Sequence, residues 1–108
     1  MIYEWRVYEA MPGRMANLQA RFRDHTARIF ERHGYKLQGF WTPTIGDFSD
    51  RLYYLVAYDD LADRDRARAA VEADPEFQRV IRESEANGPL VKSIHNTIMK
   101  PTDFSPVQ

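Results

Sequence analysis

Hydrophobic and polar positions change period several times along the chain, and each change marks an element. From Ile2 to Glu9 the period is two. Ile2, Glu4, Arg6 and Tyr8 share one face and Tyr3, Trp5 and Val7 the other, as in a strand. Met11-Pro12-Gly13 ends it, and Pro12, which has no amide donor, suits the approach to a helix. From Arg14 to His33 the spacing becomes helical: Leu18, Phe22, His25, Ile29 and His33 fall on one stripe, and Arg21, Arg23, Asp24 and Arg28 largely elsewhere. Gly34 stands where a left-handed cap belongs, and the helix dipole favours His33 in the last turn.

Tyr35 to Ile45 reads as a second strand, with Leu37, Gly39 and Trp41 on one face and Gln38 and Phe40 on the other. The polar stretch Gly46-Asp47-Phe48-Ser49-Asp50 predicts a hairpin connection. Arg51 to Tyr58 is apolar on both faces, which suits the middle of a covered sheet. Asp59-Asp60 caps a helix to about Ala73, and Asp74-Pro75 opens another to about Glu85. After Asn87-Gly88-Pro89, Leu90 to Lys100 alternates as a last strand.

The order β-α-β-β-α-β with right-handed crossovers gives an α+β, ferredoxin-like domain: a four-stranded antiparallel sheet with the helices on one face. Its second face is then bare. A bare face holding Trp, Tyr and Val would be a large exposed apolar patch, and covering it with a copy of itself implies a homodimer; the side to which Glu4, Arg6 and Tyr8 turn stays open in the sequence. Residues 1–101 are expected to form the domain and 102–108 a C-terminal tail.

Composition narrows the partners. The 108 residues carry 44% apolar and 29% charged side chains, an ordinary globular balance, with a net charge of −1. Lys and Arg never run uninterrupted by acids, so no nucleic-acid partner is expected. The chain has no cysteine, no apolar run long enough for a membrane span and no visible signal peptide, so the expected location is cytoplasmic. Fourteen aromatic residues are many for this length and suggest large stiff walls in a core, an interface or a cavity.

Specific segments resemble a known family. Ile2-Tyr3-Glu4-Trp5-Arg6-Val7-Tyr8 with Pro12-Gly13 is similar to the start of a NIPSNAP domain. So are His25 and His33-Gly34 leading to Gly39-Phe40-Trp41 and Ile45-Gly46, and so is Ala57-Tyr58-Asp59-Asp60-Leu61-Ala62-Asp63-Arg64 with Asp74-Pro75 and Phe77 beyond it. The likeness covers residues 2 to 101. It implies a dimeric α+β barrel, in a superfamily that includes cofactor-independent monooxygenases, haem-degrading enzymes, isomerases and lyases. It specifies fold more closely than activity.

Candidate chemistry centres on His25, an imidazole on the inward helix stripe between Phe22 and Ile29. There it would serve as a general acid or base, or as a core histidine bound to Glu4 or a backbone carbonyl. Glu4, Arg6 and Tyr8 share a face of what this fold makes a central strand. Buried charges there must pair or line a wet cavity. Arg6 would hold an anionic or carbonyl group and Tyr8 would exchange a proton. Trp41, Tyr54 and Phe40 are candidate walls. Of His95 and Asn96 on the last strand at most one points inside, and His95 is placed among the substrate contacts. Arg64, Arg66 and Arg68 are read as a solvated helix face. His25 and His33 lie about 12 Å apart along a helix, too far to share an ion, so no metal is expected.

The reading that follows is a small-molecule-binding protein acting on an aromatic or polyketide-like substrate by acid/base chemistry, with no cofactor. The reactions it admits are oxygenation, isomerisation, cyclisation or elimination. His25, Arg6 and Tyr8 would be catalytic, and Glu4, Phe22, Trp41, Tyr54 and His95 would contact substrate. A non-catalytic binding or interaction module is the alternative, and haem handling with His25 as axial ligand is a third.

Overall fold

A computed structural model of the chain describes residues 1–46 and 48–108. The elements in order are β1 (Ile2–Ala10), α1 (Met15–Arg21), a π-helical turn (Phe22–Thr26), α2 (Ala27–Arg32), β2 (Lys36–Trp41), β3 (Arg51–Tyr58), α3 (Leu61–Ala73), α4 (Pro75–Ser84) and β4 (Val91–Met99). The four strands form one antiparallel sheet in the order β2-β3-β1-β4, with β1 and β3 central. This is the α+β, ferredoxin-like arrangement that the sequence predicts. Asp47, at the tip of the expected hairpin connection, lies outside the described residues.

The helices cover one face only. Tyr8, Leu52, Tyr54, Val56 and Tyr58 point from the sheet into a core completed by Leu18, Phe22, Phe30, Tyr35, Ala67, Val71 and Leu90. Two acids cap the later helices: Asp60 accepts from the amide of Asp63, and Asp74 from that of Glu76 with Pro75 following. Gly34 has φ +97°, and the Tyr35 amide donates back to Phe30 O at 3.0 Å, a left-handed helix stop that a side chain would strain. His33 does not merely sit in the helix dipole. Its Nε2 lies 2.6 Å from Asp74 Oδ2, and Arg32 reaches the same oxygen, tying the end of α2 to the α3–α4 junction.

Two irregularities change which side chains face inward. The register of β2 against β3 shifts between Leu37 and Gly39, so Leu37 packs on the core side with Phe40, not beside Gly39 and Trp41. The long first helix contains the π turn, in which hydrogen bonds span five residues and each turn takes up about one residue more. That rotation moves His25 off the predicted stripe into an exposed position and puts Thr26 there, while Arg21 becomes buried. The inward stripe is therefore Leu18, Phe22, Thr26, Ile29 and Phe30.

The other face of the sheet has no helix over it. Trp5, Val7, Tyr53 and Leu55 are half-buried there, and Trp41 is 49% exposed. A β-carbon on Gly39 would come within 2.7 Å of the Trp41 indole, so only glycine lets that ring lie across β2, 6.0 Å from Trp5. At one end Tyr3 donates to the carbonyl of Gln108, and the C-terminal residues shelter Tyr3.

Candidate functional site

Antiparallel pairing aligns Glu4 with Val56, Arg6 with Tyr54 and Tyr8 with Leu52, all on the helix-covered face. Period two thus puts three polar groups where a core would ordinarily be apolar. Glu4 is fully buried and accepts four hydrogen bonds. Oε1 takes Arg64 Nε at 3.0 Å; Oε2 takes Arg64 Nη2 at 3.1 Å, Arg6 Nη1 at 3.0 Å and Asn96 Nδ2 at 2.9 Å. Burial alone would raise its pKa. The bonds from Arg64 and Asn96 and the charges of Arg6 and Arg64 outweigh that and hold Glu4 below the usual carboxylate range.

From Glu4 the network continues outward. Arg6 Nη2 donates to the Tyr8 hydroxyl at 3.0 Å, which lies 3.0 Å from the Tyr54 hydroxyl. The guanidinium also stands over both phenol rings, at 5.4 and 5.7 Å. Burial raises the pKa of Tyr54, Tyr58 and Tyr35, so these phenols stay protonated at neutral pH. Arg6 remains charged: burial opposes its charge, but the neighbouring phenols and Glu4 favour it, and its pKa is raised.

Counting protons gives the site its character. The Tyr8–Tyr54 pair holds two hydroxyl hydrogens, and one of them bridges the pair. Arg6 only donates. One O–H of the pair therefore has no acceptor among the described residues. The array is a set of donors backed by a fixed positive charge, suited to an incoming carbonyl, phenolate or carboxylate oxygen. It supplies no base, because the Glu4 oxygens are already occupied.

An aromatic cleft of about 220 Å³ lies nearby, between the first helix and the β2–β3 side of the sheet. Phe22, Phe40 and Leu52 line it, with Gln19, Arg23 and Ala27 at the rim. Phe22 separates the cleft from the hydroxyl pair, its ring centre 5.5 Å from that of Tyr8 and 5.4 Å from that of Tyr54. Phe40 stacks on Tyr54 at 5.0 Å.

Of the residues singled out by sequence, Glu4, Arg6, Tyr8, Phe22 and Tyr54 converge. Three do not. His25 is exposed and turned toward α4 by the π turn, lining a different cleft with Asp24 and Ser84. Trp41 pairs with Tyr53 and lies on the helix-free face, beneath the sheet relative to Arg6. His95 pairs with Val7 on that same face, where its Nε2 is 3.3 Å from Ser93 Oγ. The strand's inward residue is its neighbour Asn96. Arg64 is a further correction: its side chain is 14% exposed and clamps Glu4, so it does not belong to a solvated face. A signal for it existed, since Arg64 lies one and two turns before Ala67 and Val71, the buried stripe of α3. Among the described residues no three His, Asp or Glu side chains are grouped to hold a metal, and no helix is long and apolar enough to cross a membrane.

The NIPSNAP family model matches residues 3–106. No curated protein matches the chain. Among solved structures, an uncharacterised NIPSNAP-like domain protein from Burkholderia xenovorans is 31% identical with a TM-score of 0.84, over 97% of this chain and 88% of that one. A NIPSNAP family protein of unknown function from Agrobacterium tumefaciens is 29% identical with a TM-score of 0.86, over 100% and 94%. A protein from Nitrosomonas europaea, provisionally named an antibiotic biosynthesis monooxygenase, has a TM-score of 0.63 at 14% identity over 94% and 98%, a likeness of fold alone. Match and geometry agree, and the chain belongs to the NIPSNAP family.

Proposed function

We propose that each subunit binds a small, flat, largely apolar molecule in the Phe22–Phe40–Leu52 cleft and, with the Phe22 ring swung aside, takes one of its oxygens on the spare hydroxyl proton of the Tyr8–Tyr54 pair. That unassigned proton, backed by Arg6, is the observation that carries the reading. A protonated phenol that already accepts from a guanidinium donates more strongly, and the surrounding rings exclude water. Such a donor stabilises the oxyanion of an enolate or phenolate. Oxygenation, isomerisation, cyclisation and elimination of aromatic or polyketide-like substrates all pass through an anion of that kind, and none requires a bound cofactor for that step. With His25 outside the cleft, the initial proton leaves an acidic phenol or 1,3-dicarbonyl for water. The open sheet face, with Trp5, Trp41 and Tyr53, is covered by a second copy of the chain in this reading.

The test compares 2-naphthol with naphthalene, followed by quenching of protein fluorescence. The phenol should bind roughly tenfold tighter, the worth of one hydrogen bond backed by charge, and Tyr8→Phe should erase the preference. Equal binding of the two by the unmodified protein sinks the proposal. A second reading, a non-catalytic binding module, draws support from the four bonds that Glu4 accepts, which tie the polar face together without any ligand. Retained 2-naphthol binding with no product by mass spectrometry from a panel of phenols and 1,3-dicarbonyls in air would favour it.

A further inference from the structure

Among the described residues lining the aromatic cleft, only Arg23 carries a charge. Gln19 precedes it by four positions on the first helical rod, so the amide and the guanidinium share one face at the rim. The chain pairs most of its arginines: Arg28, Arg32, Arg64, Arg66 and Arg68 each reach a carboxylate. Arg23 is exposed and reaches none among the described residues. The helix positions three and four away, where a counter-charge would stand, hold Gln19, Ala20, Thr26 and Ala27. Asp24, next in sequence, lines a separate cleft on the α4 side. The Gln19 side-chain amide is likewise without a hydrogen-bond partner among the described residues.

We infer that the molecule taken by the aromatic cleft is an aromatic carboxylate. One oxygen of its ring system meets the Tyr8–Tyr54 hydroxyls, and a carboxylate at the opposite end meets Arg23 and Gln19. The inference rests on the function proposed above and adds the ligand's second polar group. A guanidinium fork receives a carboxylate through two parallel N–H···O bonds, and the neighbouring amide adds a further donor. With no acid in the lining, nothing competes for that cation or repels the incoming anion. An amine at the same end would face Arg23 directly. A phosphate dianion would call for more than the single cation present. Phe22, Phe40 and Leu52 cover the ring system between its two polar ends.

The full chain is titrated calorimetrically at neutral pH with 6-hydroxy-2-naphthoate, its methyl ester and 2-naphthol. The acid should bind roughly fivefold tighter than the ester, the most that an ion pair at a solvated rim gives, and added salt should shrink the gap. Arg23→Gln, an exposed change, should bring the acid to the level of the ester and leave 2-naphthol binding as it was. Arg82→Gln, an exposed change on α4 away from this cleft, removes the same net charge and should leave the gap in place. Equal affinity for acid and ester overturns the inference, as does a gap that survives Arg23→Gln or vanishes with Arg82→Gln. Each of those results is compatible with a retained preference for 2-naphthol over naphthalene, so the reading of the Tyr8–Tyr54 pair survives them. Loss of that preference in the unmodified protein overturns both.

Discussion

The two faces of β1 are opposites, and the contrast runs against ordinary expectation. The face bearing Glu4 and Arg6 is sealed beneath helices, whereas that bearing Trp5 and Val7 has none above it. Hydrophobicity alone would put the second inside. What decides is partner geometry. Glu4 finds Arg64 from α3, Asn96 from β4 and Arg6 from its own strand, so its charge is buried with both oxygens hydrogen-bonded. The apolar face has no such internal cover, and an aromatic strip of Trp5, Tyr53 and Trp41 then calls for an external one. One face is complete within the subunit, and the other has no cover within it, which is why a second copy is proposed there.

The sharpest way to break the contrast is Glu4→Ala. It strips Arg6 and Arg64 of their shared counter-charge in a dry setting, and unfolding in urea should report a loss of about 3–5 kcal/mol, the usual cost of orphaning a buried charge. A loss under about 1 kcal/mol would mean that the inner network contributes little and that the two faces differ only in cover.

On the outer face, Trp41→Lys should act on association and hardly on folding. Aromatic anchors at the centre of an interface are worth about 2 kcal/mol or more, so the dimer constant should weaken at least roughly tenfold. Sedimentation equilibrium would follow the shift toward the 12.7 kDa monomer. If the unmodified chain is itself monomeric, the reading of the open face falls.

Adjacent residues on β4 offer a smaller and cleaner comparison. Asn96→Ala removes a donor to a buried carboxylate and should cost about 1.5 kcal/mol, whereas His95→Ala, one position along on the other face, should stay within about 0.5 kcal/mol. Equal effects would contradict the register that pairs Arg6 with Asn96 and Val7 with His95.

How far these faces could be read in advance varies with the physics involved. Alternation of Glu4, Arg6 and Tyr8 against Tyr3, Trp5 and Val7 was legible, because the strand period is fixed by the pleat. So was the element order, and with it the fold. Identifying which of the alternating sets faces the helices needed the crossing elements: Arg64 declares the inner side only through its place above Ala67 and Val71. The π turn was illegible. Phe22-Arg23-Asp24-His25-Thr26 contains no Pro or Gly to announce it, and the turn meets α4, a partner distant in sequence, so a regular period carried His25 inward by one residue of rotation. The β2 bulge misplaced Leu37 differently, since Gly39 beside the register shift is the kind of residue that marks one.

The mildest expected effect lies outside both faces, where Asp74 joins α2 to the start of α4. Hydrogen bonding to His33, then to Arg32, holds its carboxyl well below the ordinary range. A depressed folded-state pKa means stability that is fully present above the unfolded value and is lost as pH falls through the carboxylate range toward the folded one. Asp74→Asn keeps an acceptor for the Glu76 amide, so the helix cap survives, and removes the titrating charge. Urea midpoints measured at pH 7 and pH 3 should therefore differ less in the variant than in the unmodified chain. Some acid sensitivity must remain, because Glu4 is depressed in the same direction. An Asp74→Asn chain as acid-sensitive as its parent would locate the whole effect on the inner face of the sheet, and the junction would be only a surface contact.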